Sequence, residues 1–285
     1  MLHSSLDAHG SGREVAQAIG PGTITINQEW RCAMGLRSAC VSLVALAAVL
    51  MSQPARASQV AYDGFGLTFP IYANGGAGFS GPWAQGGFNA FASGYTTNEG
   101  SLSFPSLQAS TGGSVSGAAF SAINGAIRNL SQSLGADNTT IYMSFLIRPD
   151  GILSNGIFGG FFGVTLNGTS SDLFIGKPGG GAVDQYVLET RGGSGQVPSG
   201  TSTDVGHTAL MVVKAQFLPG NDIFTLYTNP KPAGGSEPSG GAQKSDLNLG
   251  VVSKIGIYSS GAFTVDEIRI GTSYDDVVPK QGDGQ

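Results

Sequence analysis

Short runs of alternating apolar residues, separated by glycine-rich turns, recur from residue 59 almost to the end of the chain. Two of the clearest are Thr140–Arg148 and Thr208–Phe217, and the second is apolar on both faces, which predicts a central strand. An alternation of period two places every second side chain on one face of a strand, while glycine supplies the turns. Roughly ten such runs, without a convincing long helix, predict an all-β fold in the form of a two-sheet antiparallel jelly-roll sandwich.

The high glycine content bears on whether the chain folds at all. It has 46 glycines and 13 prolines among 285 residues, a combined share just under the level at which disorder is expected. The glycines lie between the apolar runs, so we interpret them as turn residues of a folded domain. One segment, Ala118–Leu134, also shows helical spacing of its large apolar residues. Glycine and asparagine between them disfavour a helix, and we predict a strand.

The early part of the chain has the pattern of an export signal. Met34 and Arg37 precede an apolar run of thirteen residues, Ala39–Met51, and Ala55-Arg56-Ala57 follows it. A basic start, an apolar run and an Ala-x-Ala site are typical of a signal peptide. Thirteen helical residues reach only about 20 Å, less than the hydrocarbon core of a membrane. We therefore predict a signal peptide at residues 34–57.

The predicted signal peptide separates an N-terminal segment from the rest of the chain. Residues 1–33 precede it without periodicity, and we interpret them as a mis-assigned or extended N-terminus. The remainder is long enough to bury a sizeable core, so we predict a single β-sandwich domain at 58–279 and a flexible polar tail at 280–285. We expect an exported protein, whether secreted, periplasmic or at the cell surface, with no membrane anchor in the mature chain.

Charge and cysteine content argue against several functions. The formal net charge is −5 and no basic run or stripe occurs, so we expect no nucleic acid partner. Both cysteines, Cys32 and Cys40, precede the predicted cleavage site. The predicted mature chain therefore has no disulfide, no thiol nucleophile and no cysteine-based metal site.

The last predicted strand, Phe263–Gly271, contains an acidic residue that the alternation places among core residues. Strict alternation puts Asp266 on the same face as Ile268 and Ile270, opposite Phe263. Because isoleucines are expected to point into the core, Asp266 would be a buried carboxylate. Such a group needs a cation, an arginine or backbone N–H groups as its partner.

This strand and three other short motifs resemble a known family. Val265–Val277 is similar to the last strand of laminin-G-like and concanavalin A-like jelly rolls in exported bacterial proteins. The hairpin Asn221–Asn229, the run Asp172–Lys177 and the loop Asn74–Trp83 fit the same pattern. The resemblance extends over nearly all of the predicted domain and implies the concanavalin A-like lectin/glucanase superfamily.

The resemblance also implies a structural calcium ion. In related jelly rolls an aspartate on the last strand can bind calcium together with carbonyl groups from the start of the domain. Asp266 is the candidate ligand by this resemblance, with the loops of Asp63 or Asn74 as partners. The alternative for Asp266 is a salt bridge or hydrogen bonds, for instance with Arg128.

Trp83 is the candidate ligand-binding residue, because it is the one tryptophan of the predicted mature chain. An exposed indole could stack on a sugar ring. The alternative is that it packs against Phe79 and Phe88 in the core or in a loop.

Catalytic motifs are not evident. The glucanases of the superfamily use Glu-x-Asp-x-x-Glu on one strand, and their chemistry needs two carboxylates that face one cleft. This motif is absent, and Asp184 and Glu189 are spaced so that a regular strand would point them to opposite faces. His207 is the one histidine of the predicted mature chain, and no Gly-x-Ser-x-Gly motif accompanies it.

These patterns together predict an exported, non-catalytic module that binds carbohydrate or matrix. Its partner would be a polysaccharide or an extracellular matrix component. Two alternatives stay open. The first is a structural or adhesive surface protein without a small ligand. The second is a glycan-cleaving enzyme whose carboxylates come from distant parts of the chain.

Overall fold

The computed structural model of the protein describes residues 59–66, 75–86, 95–108, 112–117, 123–151, 153, 155–156, 160–232 and 236–281. All of these residues belong to one compact unit, Ala55–Gln285. The segment 1–33, the predicted signal peptide 34–57 and Asn74 lie outside the described residues.

Fifteen strands and one short helix make up the regular structure of the described residues. In chain order they are β1 (Gln59–Asp63), β2 (Ala84–Gln85), β3 (Tyr95–Asn98), β4 (Ser114–Gly117), β5 (Asn124–Leu134), β6 (Thr139–Pro149), β7 (Phe162–Gly168), β8 (Asp172–Lys177), β9 (Gln185–Thr190), β10 (Ser194–Ser202), β11 (Ala209–Phe217), β12 (Asp222–Thr228), β13 (Ala242–Leu247), β14 (Val252–Ser259), β15 (Phe263–Gly271) and α1 (Tyr274–Val277).

The strands form two antiparallel sheets. Sheet 1 has the order β13-β12-β11-β6-β15-β4-β3, and β1 pairs with the second half of β15. Sheet 2 has the order β10-β9-β8-β7-β14-β5-β2. The predicted all-β sandwich of two antiparallel sheets is confirmed. The strand predicted within Ala118–Leu134 is found as β5, and β11 lies between β6 and β12 as predicted for a central strand.

The inner core lies between the two sheets and follows directly from the alternation in the sequence. On β6 every second residue is buried in it, namely Ile141, Met143, Phe145 and Ile147. Sheet 2 contributes the facing apolar residues, among them Val164, Leu188 and Ile257.

A second, smaller hydrophobic cluster covers the outer face of sheet 1. Its sheet residues come from β6, β11 and β12, and its cover comes from the segment 101–108 and from α1 with the residues after it. This outer cluster contains Leu102, Leu107, Tyr142, Leu146, Leu210, Val212, Tyr227, Tyr274, Val277 and Val278. Sheet 1 is therefore buried on both faces, which explains why β11 is apolar on both.

The ordered contacts extend past residue 279, the predicted end of the domain. The backbone N–H of Gln281 donates to the Ser106 carbonyl at 3.0 Å, and Lys280 pairs with Leu107. The domain boundary at residue 279 and the flexible tail after it stay predictions.

The structure has fifteen strands, whereas the sequence predicts roughly ten, so several strands were not predicted. Glycine-rich β10 and polar β13 have few of the large apolar residues that identify a strand. Residues 101–104 run without strand pairing over the outer face of sheet 1, where Leu102 is buried.

The alternation predicted for β15 is wrong in its second half, because the strand contains a β-bulge. Asp266 pairs with Leu146 of β6, whereas Arg269 pairs with Ser144, so the register shifts between them. Glu267, within the shift, has a φ of +55°. Such an inserted residue exchanges the two faces of the strand beyond it.

Because of this exchange of faces, Asp266 and Ile268 lie on opposite faces of β15 and not on the same face as predicted. Phe263, Val265, Ile268 and Ile270 all reach the inner core, which strict alternation does not allow. Asp266 instead lies on the outer face with its partner Leu146. It is fully buried there all the same, because the segment containing Leu102 covers it.

Candidate functional site

Asp63 has an arginine as its partner. Its carboxylate forms a buried ion pair with Nη1 of Arg128 and accepts hydrogen bonds from Trp83 Nε1 at 2.8 Å and the Phe65 N–H at 2.9 Å. Arg128 also donates from Nε to the Gly81 carbonyl at 2.9 Å. Arg128 had been considered as a partner of Asp266, so this pairing corrects that expectation.

Asp266 is held by backbone groups. The N–H groups of Leu102 and Glu267 donate to its two oxygens at 2.8 and 2.7 Å. Burial and the neighbouring Glu267 raise the pKa of Asp266 to about 8, although both N–H bonds favour the charged form. Glu267 is paired with Arg269 and accepts a hydrogen bond from Tyr62 Oη at 2.9 Å.

The two predicted calcium ligands thus have separate sets of partners. In the part of the chain that the structure describes, no group of three or more His, Cys, Asp or Glu residues is placed to hold a metal ion. Calcium at Asp266 and Asp63 stays a prediction without support from this geometry.

Trp83 is a core residue in the structure. Its side chain is buried, its ring stacks on Phe65 with the centroids 6.0 Å apart, and its Nε1 donates to Asp63. Its side chain therefore packs inside the protein, as the alternative predicted in general, but its stacking partner is Phe65, and Phe88 lies outside the described residues. As an exposed stacking platform for a sugar, Trp83 does not fit the structure.

A different part of the protein forms a cavity of about 550 Å³, which we name the sheet 2 groove. Along their strands Phe174, Glu189 and Tyr258 each stand next to a residue of the inner core, so they point to the outer face of sheet 2. The described lining consists of Ile123, Gly156, Phe161, Phe174, Gly179, Gly180, Gly181, Glu189, Arg191, Gly192, Gly193, Gln196 and Tyr258. The volume is in the range of small-ligand sites in proteins.

Glycines on the outer face of sheet 2 make room for the aromatic floor of the groove. A Cβ on Gly256 would lie 2.5 Å from Cε2 of Tyr258, and one on Gly125 would lie 2.9 Å from Cε1 of the same ring. A Cβ on Gly163 would lie 2.7 Å from Cζ of Phe174. The two rings therefore lie over backbone that only glycine leaves free. Phe161 packs edge-on against Phe174, with centroids 6.3 Å apart.

Polar side chains stand beside this aromatic floor. Gln196 donates from Nε2 to Glu189 Oε2 at 2.7 Å and to the Gly180 carbonyl at 2.9 Å, and so joins β10, β9 and a rim turn. Burial raises the pKa of Glu189, against the opposing effects of Gln196 and Lys244. Glu189 is therefore a buried carboxyl group with hydrogen-bonding capacity toward the groove.

Arg191 forms one end of the groove. Its guanidinium lies over the Tyr258 ring, 4.9 Å from the centroid, and its Nη2 pairs with Asp172 at 2.8 Å. Arg191 and Asp172 also line a second, polar depression of about 330 Å³ with the hydroxyl-bearing turn 169–171. The ion pair thus stands between two adjoining recesses.

The groove offers apolar ring faces next to hydrogen-bonding groups, an arrangement that suits ligands with both kinds of surface. Glu189 is the one carboxylate among its described lining residues. The two facing carboxylates that glycoside hydrolysis generally uses are therefore not assembled by that lining.

Sequence reasoning considered Glu189 as a catalytic carboxylate, but it did not predict the groove. Phe174 of β8 and Arg191, directly after β9, lie fairly near each other in the chain, but Tyr258 comes from the distant strand β14. A signal was present in the glycines at 163, 176 and 256, which take outward positions on strands with apolar inner faces. A glycine at such a position often marks a close approach of another group to the backbone.

Comparison with known proteins gives similarity in structure alone. No family model matches the sequence, and no curated protein matches it. An endo-1,3-beta-glucanase from Streptomyces sioyaensis is similar with a TM-score of 0.44 and 8% identity, over 77% of this chain and 98% of that one. The exoplasmic/lumenal domain of VIP36, in a Ca²⁺-bound form, is similar with a TM-score of 0.36 and 11% identity, over 66% and 87%.

A carbohydrate esterase from the Shiga toxin-encoding bacteriophage phi24B is also similar, with a TM-score of 0.36 and 8% identity, over 67% of this chain and 90% of that one. All three similarities lie below 25% sequence identity. Because their TM-scores lie below 0.5, they say nothing about the ligand or activity of this chain. Within the described residues, no helix is long and apolar enough to cross a membrane.

Proposed function

We propose that the protein is an exported, non-catalytic module that binds carbohydrate in the sheet 2 groove, with a polysaccharide or a matrix glycan as its partner. The observation that carries the proposal is the aromatic floor of Phe161, Phe174 and Tyr258 beside the carboxyl group of Glu189 and the amide of Gln196.

The chemistry of a sugar matches this lining. A pyranose ring has faces of C–H groups that pack on aromatic rings, and its rim carries hydroxyl groups that need donors and acceptors. The carboxyl oxygens of Glu189 and the amide oxygen of Gln196 provide acceptors for these hydroxyl groups. Glycine turns at 179–181 and 192–193 form the rim without bulky side chains, which leaves the groove open to a chain.

The neighbouring polar depression favours a polymer over a single sugar. It adjoins the groove at Arg191 and is lined by hydroxyl groups of Thr169, Ser170 and Ser171. A ligand longer than one unit would contact both recesses. A structural or adhesive protein without a small ligand is the competing function, and it needs neither recess.

The test is binding of the purified protein to a broad panel of polysaccharides, by affinity electrophoresis and by calorimetry of any hit. We expect a hit, and we expect Phe161→Ala and Glu189→Gln to weaken it about tenfold or more, as for central contacts of a binding site. Phe104→Ala is the matched control, because Phe104 is a half-buried aromatic in the segment that covers the outer face of sheet 1, away from the groove.

Three further outcomes decide between the alternatives. Each measurement is repeated with calcium and with a chelator, so that loss of binding on chelation supports the predicted calcium ion. No binding to any polysaccharide in either condition contradicts the proposal and favours the adhesive protein. Shortening of the bound polysaccharide over time, lost in Glu189→Gln, contradicts the non-catalytic assignment.

A further inference from the structure

The outer face of sheet 1 carries a second polar centre, far in sequence from the groove. Three donors from adjacent strands meet one carboxylate: Tyr142 of β6, Lys214 of β11 and Tyr227 of β12 all contact Glu237. Tyr142 Oη donates at 2.6 Å, Lys214 Nζ is 3.0 Å from both carboxylate oxygens, and Tyr227 Oη donates a short hydrogen bond.

The sheet, and not Glu237, holds these donors in place. Lys214 and Tyr142 are directly paired in the ladder between β11 and β6. The Tyr142 ring also packs edge-on against Tyr274 with the centroids 6.3 Å apart, and both tyrosines that bind Glu237 belong to the outer cluster. Burial and the charge of Glu237 raise the pKa of both phenols, so they stay protonated as donors.

Glu237 makes the polar contacts of its segment with sheet 1, in addition to the packing of the buried Pro230 and Pro232. We name residues 229–241, between β12 and β13, the crossing segment; it has left-handed backbone at Asn229, Gly240 and Gly241. Of its described residues from Pro230 to Ser239, Glu237 alone makes hydrogen bonds or an ion pair to the sheet. A cavity of about 540 Å³, lined in part by Tyr227, Pro238 and Ser239, lies beside it.

The charges around Glu237 are also compatible with its replacement by a carboxylate of another molecule. Glu237 is the one acid that pairs with Lys214 in the described part of the chain. Partial burial raises the pKa of Glu237, but the hydrogen bonds from Tyr142, Tyr227 and Lys214 outweigh it and hold the pKa below its usual value. Without Glu237, the three side chains would present one positive charge and two phenolic donors to solvent, a set that matches the two oxygens of a carboxylate.

We propose that Tyr142, Lys214 and Tyr227 form a carboxylate-binding site, and that Glu237 occupies it as a latch on the crossing segment that a carboxylate from outside can replace. This site is independent of the sheet 2 groove. The ligand it accepts is a carboxylate, either on a sugar acid or as a bare group.

The test is chemical rescue of Glu237→Ala. Its melting temperature is measured at constant pH and ionic strength in sodium chloride, acetate, D-glucuronate or chloride with D-glucose. We expect the variant to melt below the wild type in chloride and to recover, in a saturable way, in acetate and glucuronate but not in glucose, since a ligand of the folded state stabilises it by mass action. Ser236→Ala, in the same segment, is the control and should show no carboxylate response.

The double variant Glu237→Ala/Lys214→Met should lose the rescue. Saturation by glucuronate at lower concentration than acetate identifies a sugar acid as the better ligand, and equal saturation identifies the bare carboxylate. No rescue beyond chloride, or equal rescue of the double variant, overturns the proposal. If Glu237→Ala does not fold, hydrogen exchange of the wild type decides: glucuronate, but not glucose, should speed exchange in residues 230–241, and unchanged exchange overturns the proposal.

Discussion

At the scale of single residues, the buried acids differ in how their charge is compensated. Asp63 has Arg128 as an ion-pair partner in addition to two N–H donors. Asp266 has two backbone N–H groups and lies next to Glu267, another acid. A buried carboxylate without a cation beside it is costly to ionise, which accounts for the raised pKa of Asp266. The charge of Asp63 is compensated by Arg128.

The raised pKa of Asp266 predicts a pH dependence of stability. In the unfolded chain this group titrates near 3.8, and in the folded protein near 8, so between these values the folded state holds a proton that the unfolded state lacks. The free energy of unfolding should therefore fall as pH rises from 4 to 8, with up to about 1.4 kcal/mol per pH unit from this group. Urea unfolding across this range measures the slope.

Asp266→Asn separates this effect from other titrations. The amide cannot ionise, so the stability of the variant relative to the wild type should improve steadily as pH rises. At pH 5 the variant should be less stable, because one N–H loses its acceptor. Asp137→Asn, at an exposed turn position, is the control and should follow the wild type. A constant difference between Asp266→Asn and the wild type would contradict the assigned pKa.

At the scale of elements, two strand features position the parts of the molecule that matter for function. The bulge at Glu267 turns Asp266 to the outer face and keeps Ile268 in the inner core. The outward glycines of β7, β5 and β14 let Phe174 and Tyr258 lie over the sheet. Both features are interruptions of regular alternation, and each one determines where a neighbouring side chain goes.

The glycine under Tyr258 gives a direct test of the groove floor. In Gly256→Ala the added Cβ would meet the Tyr258 ring at 2.5 Å and Thr165 Oγ1 at 2.6 Å, so the ring must move. We expect a loss of about 1–3 kcal/mol in the free energy of unfolding, typical of overpacking, together with weaker binding of any polysaccharide hit. Chemical denaturation and calorimetry measure the two effects.

Gly180→Ala is the matched control for this variant. Gly180 also lines the groove, but a Cβ there would meet nothing within 4 Å. Its effect on unfolding should stay within about 0.5 kcal/mol. Equal effects of the two substitutions would show that the ring of Tyr258 does not depend on the glycine beneath it.

At the scale of the whole molecule, sheet 1 lies between two hydrophobic layers. The inner core is shared with sheet 2, and the outer cluster is shared with the segment 101–108 and α1. Because both layers are attached to the same strands, they should unfold together.

Leucines in the two layers test this coupling. Leu188 lies in the inner core and Leu146 in the outer cluster, and both are almost fully buried. We expect Leu188→Ala and Leu146→Ala each to lower the free energy of unfolding by about 2–5 kcal/mol in a single transition. Fluorescence and circular dichroism should then give coincident curves. An early partial transition in Leu146→Ala alone would show that the outer layer is a separate unit.

The all-β class and the inner face of strands such as β6 could be predicted from the sequence, because alternation and glycine turns are local properties of the chain. Several other features needed the tertiary structure. The face of Asp266 depended on one inserted residue in β15, which a period of two does not show. The burial of Trp83 and the pairing of Arg128 with Asp63 depended on which loops meet β5.

The sequence by itself thus determined the fold class and the buried face of the long strands, and its signal for export stays a prediction. The tertiary structure decided the position of the sheet 2 groove and of the carboxylate-binding site around Glu237. The groove joins the consecutive strands β8, β9 and β10 to Tyr258 of the distant strand β14, and the carboxylate-binding site joins the β11–β12 hairpin to Tyr142 of the distant strand β6. Their proximity is set by strand order and register, which result from burial and hydrogen bonding of the whole sandwich rather than from any one segment.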